Sequence, residues 1–170
     1  MVHRRQGGYV QAMTDAPALL GVYLNDHLAG ATAGMELSRR LARNEGNWAG
    51  ELTRIAEEIA EDRAALQDLM RTLGVQTQLY KPWLAWIGEK ATRLKPNRRF
   101  ASRSPLSRVI ELETMRLGVL GKGMAWRALR EAGDPRLPAE RLERLIERAD
   151  RQADELEKLR QRAAAEVFGR

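Results

Sequence analysis

Cysteine is absent from this chain of 170 residues, which excludes a disulfide framework, a thiolate metal site and a cysteine nucleophile. Aromatic residues make up only 5% of the sequence, and the runs of Val, Ile and Thr that build β-sheets are lacking. No window approaches about 18 consecutive apolar residues, so the sequence predicts no transmembrane helix. The Gly-rich phosphate loop and the Gly-x-Ser-x-Gly nucleophile motif are also missing. These absences favour a cytoplasmic protein without the common catalytic motifs.

Helix-forming residues dominate the composition, and apolar residues recur regularly over long stretches of the sequence. The chain is 44% hydrophobic and 31% charged, and Ala, Leu, Glu and Arg are prominent. Apolar side chains recur at helical spacing, and Pro, Gly and Asn interrupt the pattern at intervals. These breaks predict five helices, over residues 16–44, 48–73, 82–94, 105–132 and 138–168. Because the helices are long and the links short, we expect an all-α fold of four to five helices packed antiparallel as an up-down bundle.

The first residues differ in character from the rest. Met13-Thr14-Asp15 is typical of a natural start followed by a helix cap, and Pro17 stands where proline is favoured, early in a helix. We therefore expect residues 1–15 to be a disordered extension and residues 16–170 to form a single helical-bundle domain. Either Met1 or Met13 is then the natural start.

The fourth predicted helix carries apolar residues on two sides. One stripe contains Leu106, Ile110, Glu113, Leu117, Leu120 and Met124, and the opposite side contains Leu112, Met115, Val119 and Trp126. A helix that is apolar on two sides is either central in the fold or shared with a second chain. The pattern therefore predicts a central helix or a homodimer formed through this helix.

One polar residue interrupts the apolar face of each predicted helix. These residues are His27, Asp62, Lys90, Glu113 and Gln152. At a rise of about 1.5 Å per residue, four of them reach a similar height, and Glu113 lies about one turn higher. Buried charge is costly unless it is paired, so three interpretations stay open. The layer fixes helix register through ion pairs that also use Arg63, or its members reach water at helix edges, or they line a ligand pocket.

The order of long helices and the central polar layer resemble the ferritin-like bundle proteins, over residues 16–168. Family members that bind two irons carry a Glu on two helices and a Glu-x-x-His pair on the other two. This chain has no Glu-x-x-His, and its nearest matches are Glu58, Asp62 and Glu113, with His27 in place of a carboxylate. The resemblance therefore implies at most a single divalent metal, held by His27, Glu58, Asp62 and Glu113, rather than a di-iron centre.

A basic segment links the third and fourth predicted helices. Its cations include Arg93, Lys95, Arg98, Arg99 and Arg103. Such a segment can bind the phosphates of nucleic acid or an anionic membrane surface. It can equally be a solvated loop whose cations interact favourably with the C-terminal end of the preceding helix, and we prefer this interpretation.

Three functions follow from these patterns. The leading one is a non-enzymatic structural or protein-interaction bundle. The second is a bundle that binds a ligand or a single metal through the predicted layer. The third is a weak binder of nucleic acid or of an anionic membrane surface through residues 90–108.

Overall fold

The computed structural model describes residues 6–44, 46–78 and 104–169, with side chains from residue 16 onward. Its elements are α1 (Gln6–Asn44), a 3-10 turn (Gly46–Trp48), α2 (Ala49–Thr72), α3 (Pro105–Ala132) and α4 (Ala139–Phe168). Within these ranges every regular element is helical, and the four α-helices pack together. The predicted all-α class and helical bundle are confirmed. The predicted helix over 82–94 lies outside the described residues.

Glycine and proline set the helix ends much as the sequence indicates. Gly74 follows α2 with φ of +73°, and Gly133 follows α3 with φ of +62°. Both angles lie in the left-handed region, which glycine adopts without a steric penalty from Cβ. Pro105 occupies the first turn of α3, where its missing N–H is not needed. The predicted bounds of α2, α3 and α4 are confirmed to within about one residue.

The first helix starts earlier than predicted. It begins at Gln6 and contains Pro17 in its interior, whereas the sequence pattern placed its start at residues 15–17. A proline in a helix interior removes its own N–H donor and crowds the carbonyl four residues earlier, but the other residues of the segment keep their donors, and α1 continues through Pro17. The division into an extension of residues 1–15 and a domain of residues 16–170 stays a prediction.

The core lies where α1 packs on α2 and α3, and where α3 packs on α4. The largest fully buried side chains include Leu24, Leu41, Leu52, Ile55, Leu69, Met70, Leu112, Trp126, Leu129 and Leu156. The stripe of α3 that contains Leu112, Met115, Val119 and Trp126 faces this core. The other stripe faces outward, with Leu106, Leu117 and Met124 exposed. Among the described helices, none combines the length and apolarity needed to cross a membrane.

Candidate functional site

Five polar side chains meet between α2, α3 and α4. They are Glu58 and Asp62 from α2, Lys122 from α3, and Arg148 and Gln152 from α4, and we call them the polar cluster. Asp62 is only 1% exposed and Gln152 is fully buried. Each stands among apolar neighbours of its own helix, Ile59 and Leu66 beside Asp62 and Ala149 and Leu156 beside Gln152. Helical spacing therefore carries both polar groups into the core.

Hydrogen bonds connect the members of the polar cluster. Lys122 Nζ donates to the Asp62 carboxylate and to Gln152 Oε1, the latter at 2.5 Å. Gln152 Nε2 donates to Glu58 Oε2 at 2.8 Å and to Asp62 Oδ2 at 3.3 Å. Gln152 thus uses both ends of its amide and links the lysine to two carboxylates. Polar groups of this kind tolerate burial because they satisfy one another.

The Asp62 carboxylate is the centre of the ion pairs in the polar cluster. Arg148 Nη2 lies 2.5 Å from Asp62 Oδ1 as an ion pair, although that oxygen makes no hydrogen bond of regular geometry. Lys122 and Arg148 therefore both pair with Asp62, whereas Glu58 pairs with Arg54 one turn earlier on α2, at 3.1 Å. Burial lowers the pKa of the Lys122 ammonium, and the neighbouring Asp62 carboxylate opposes this shift. The arrangement is that of a buried ion-pair network, in which removing one partner is destabilising because it leaves the other charge buried without compensation.

Ion pairs also run along the helices on either side of the polar cluster. From the start of α2 onward they are Glu51–Arg162, Arg54–Glu155, Glu61–Arg148 and Asp68–Arg141. Along α3 they are Arg108–Glu166, Arg116–Glu157, Arg127–Asp150 and Arg130–Glu143. Residues that come later in α2 or in α3 pair with residues that come earlier in α4. Most of these side chains are exposed, and each such pair contributes only about 0–1 kcal/mol to stability. The pairs therefore show how the helices are aligned but stabilise the bundle little.

The structure brings together two members of the predicted five-residue layer. Asp62 and Gln152 are hydrogen-bonded, and Glu58 joins them. Glu113 is 49% exposed on the outer stripe of α3, where Arg160 lies 3.7 Å away. It was predicted to lie on a buried face, and that prediction is corrected, because the opposite stripe of α3 faces the core. Lys90 lies outside the described residues.

His27 stands apart from the carboxylates of the polar cluster. It is half-buried on α1 and packs edge-on against Tyr23 one turn earlier, with 4.5 Å between the ring centroids. Burial lowers the pKa of the imidazole, and the nearby Asp26 carboxylate opposes this shift. Arg63, which was expected to pair with the layer, donates to Thr32 Oγ1 at 3.0 Å and to Gln67 Oε1 at 3.2 Å instead.

The predicted metal ligands do not form a common site. Across the part of the chain that the structure describes, no three His, Asp or Glu side chains come together as a metal site requires. His27, Glu58, Asp62 and Glu113 all fall within that part. The physical reason is that Lys122 and Arg148 occupy the oxygens of Asp62, while Glu113 faces outward. The predicted anion-binding residues Arg93, Lys95, Arg98, Arg99 and Arg103 lie outside the described residues.

A groove of about 550 Å³ lies beside the polar cluster. Its lining consists of Ala65, Arg141, Arg144, Leu145, Glu147, Arg148 and Arg151. It shares Arg148 with the polar cluster but includes neither Asp62 nor Lys122.

Sequence reasoning missed two residues that organise this region. Lys122 is three residues after Val119 and four before Trp126, so its spacing did place it on the buried stripe of α3. Asn25 donates from Nδ2 to the carbonyls of Gly21 and Gln76, at 2.9 and 3.0 Å, and its Oδ1 accepts from Gln78 N–H at 2.7 Å. This side chain ties α1 to the segment that follows α2.

Comparison with known proteins adds no relative: no protein-family model, no curated protein and no solved structure matches the chain.

Proposed function

We propose that this chain is a non-enzymatic protein-interaction bundle that pairs with a second copy of itself through α3. The observation that carries the proposal is the outward apolar stripe of α3, which we call the α3 stripe. It consists of Leu106, Ile110, Glu113, Leu117, Leu120 and Met124. Leu117 is 68% exposed, Met124 is 64% exposed and Leu106 is 45% exposed, while Ile110 and Leu120 are half-buried.

The α3 stripe differs from the outer face of the neighbouring helix. The exposed side of α4 is dominated by charged residues, several of them in ion pairs such as Arg127–Asp150 and Arg162–Glu51. Single exposed apolar residues are normal on a protein surface, but a contiguous row is typical of a contact surface. Burying such a row is favourable by roughly 25 cal/mol for each Å² of apolar area removed from water. Contact with another protein is therefore the role that the stripe supports best.

The polar cluster supports a structural role for the other side of α3. Its buried carboxylate, Asp62, pairs with two cations of the cluster, and a buried network of this kind can fix how helices are rotated and aligned. We propose that it sets the register of an antiparallel up-down bundle. The opposite numbering of the ion pairs along α2 and α4, and along α3 and α4, supports antiparallel packing of α4 on both helices. It makes α2 and α3 parallel to each other, as an up-down order requires when the predicted helix over 82–94 comes between them in the chain. A ferritin-like relationship stays a prediction, as do the cytoplasmic location and the binding of nucleic acid or membrane by residues 90–108.

Light scattering after size exclusion tests the proposal. We expect wild-type protein at high concentration to show twice the monomer mass of 19.2 kDa, and Leu117→Lys to show the monomer mass. Leu19→Lys is the matched control, because Leu19 is 67% exposed on α1 and lies outside the α3 stripe. We expect this control to remain dimeric. A wild-type protein that is monomeric at every concentration would overturn the proposal.

A further inference from the structure

We infer that the two copies pack their α3 stripes antiparallel, around a two-fold axis level with Met115. The inference rests on the proposed function and adds how the partner is placed. Met115 itself is buried in its own chain. The axis therefore passes over the backbone of α3 at this level, between the outward-facing residues 113 and 117.

The spacing of the α3 stripe is the first argument. Its residues are separated by 4, 3, 4, 3 and 4 positions, a series that is the same in both directions. Reversal about residue 115 sets Leu106 opposite Met124, Ile110 opposite Leu120, and Glu113 opposite Leu117. Every residue of the stripe then has a partner in the second copy. A shift of seven residues in either direction, the repeat of a helix–helix seam, leaves two of the six without one.

The charge of Glu113 is the second argument. A parallel pairing in register would place each residue opposite itself, so two Glu113 carboxylates would meet in the middle of an apolar contact. Like charges brought together in an interface are unfavourable. The antiparallel pairing sets each Glu113 beside Leu117 of the other copy instead. Each carboxylate then keeps Arg160 of its own chain, which lies 3.7 Å away.

The symmetry of this contact limits the assembly to two chains, and its small area limits the stability of the dimer. An interface in which both copies use the same patch is closed, so assembly ends at two chains. The stripe is about 27 Å long at 1.5 Å per residue, and a helix is about 10 Å wide. Its footprint is therefore roughly 300 Å² per copy, below the roughly 800 Å² typical of a stable partner surface. The dimer should accordingly be weak and should dissociate on dilution.

Cysteine cross-linking tests the register directly, because the native chain has no cysteine. Two proteins are prepared, Leu106→Cys and Met124→Cys, and their helical content is checked by circular dichroism. In the antiparallel dimer, residues 106 and 124 of different copies are neighbours, whereas two copies of residue 106 are about 27 Å apart along the axis. A disulfide requires Cα atoms within about 7 Å. We therefore expect disulfide-linked dimers in the mixture and at least tenfold fewer in either protein alone. Leu19→Cys, mixed with each, is the control and should not cross-link.

The outcomes separate this inference from the proposed function. Efficient cross-linking of Leu106→Cys with itself would show a parallel contact and overturn the inference, while a dimer remains. Equal cross-linking of all mixtures, the control included, would show random collision and overturn it as well. The same holds if light scattering shows a dimer and no mixture cross-links. If the protein is monomeric and a Leu117→Cys thiol is protected from alkylation, the same chain covers the stripe, and both proposals fall.

Discussion

Replacing Lys122 by methionine should destabilise the bundle far more than removing an exposed cation does. Methionine keeps the length and flexibility of the lysine stem, so packing changes little. The ammonium, however, is the group that donates to Asp62 and Gln152. Without it, a carboxylate that is 1% exposed retains Arg148 as its only cation. Removing one partner of a buried ion pair typically costs 3–5 kcal/mol. Because Arg148 remains, we expect a loss near the lower end, about 3 kcal/mol.

Urea unfolding followed by circular dichroism measures this loss as a change in the free energy of unfolding. Arg130→Met is the matched control on the same helix, since Arg130 is exposed and pairs with Glu131 and Glu143 on the surface. We expect its cost to be below about 1 kcal/mol. In a double-mutant cycle, Asp62→Asn combined with Lys122→Met should cost about 2 kcal/mol less than the sum of the single changes. Additive effects, or a Lys122→Met protein as stable as the control, would refute the reasoning.

Three further predictions concern other parts of the bundle. Because burial lowers the pKa of His27 in the folded state, the unfolded chain takes up this proton first. The free energy of unfolding should therefore fall as pH drops below 6.5. In the His27→Gln protein this free energy should decrease less between pH 7 and 5; equal slopes of the free energy against pH in the two proteins would exclude His27 as the source. Asn25→Ala should lower the free energy of unfolding by about 1 kcal/mol in urea, because the backbone groups of residues 76 and 78 lose their side-chain partner, and water replaces part of it since both residues are exposed; no measurable change would show that this contact is dispensable. Gly133→Ala should cost about 1–2 kcal/mol in thermal unfolding, since φ of +62° is strained for alanine, and an unchanged midpoint would contradict that.

The helices themselves could be predicted well from the sequence. Gly74 and Gly133 marked two helix ends because only glycine adopts their left-handed backbone readily. Pro105 marked a start because proline suits the first turn. These signals depend on the local backbone, so they do not change with the packing of the surrounding helices. Pro17 indicated the wrong start for α1, because a proline that suits a first turn can also lie inside a longer helix, as it does here.

The candidate site was harder to predict because it depends on which face of α3 turns inward. Both faces carry apolar residues, and one polar residue interrupts each, Glu113 on one and Lys122 on the other. Periodicity defines the two faces of a helix but does not say which one is buried. Packing against α1 and α4 decides this, and it buries Lys122. Asp62 and Gln152 were found because each of their helices has only one apolar face.

Asn25 and His27 illustrate a second limit. They are two residues apart on α1, and the sequence drew attention to the histidine because of its chemistry. The structure gives the larger structural role to Asn25, whose partners Gln76 and Gln78 are more than fifty residues away. A backbone partner leaves no signature in side-chain type, so no pattern in the sequence could have indicated this contact.

Sedimentation equilibrium of the wild-type protein over a dilution series tests the central claim, that α3 holds two copies together. We expect an average mass that falls from twice 19.2 kDa to the monomer mass as the protein is diluted, with no species larger than a dimer. A mass of 19.2 kDa at every loading concentration, or a mass that keeps growing beyond two chains, would contradict it.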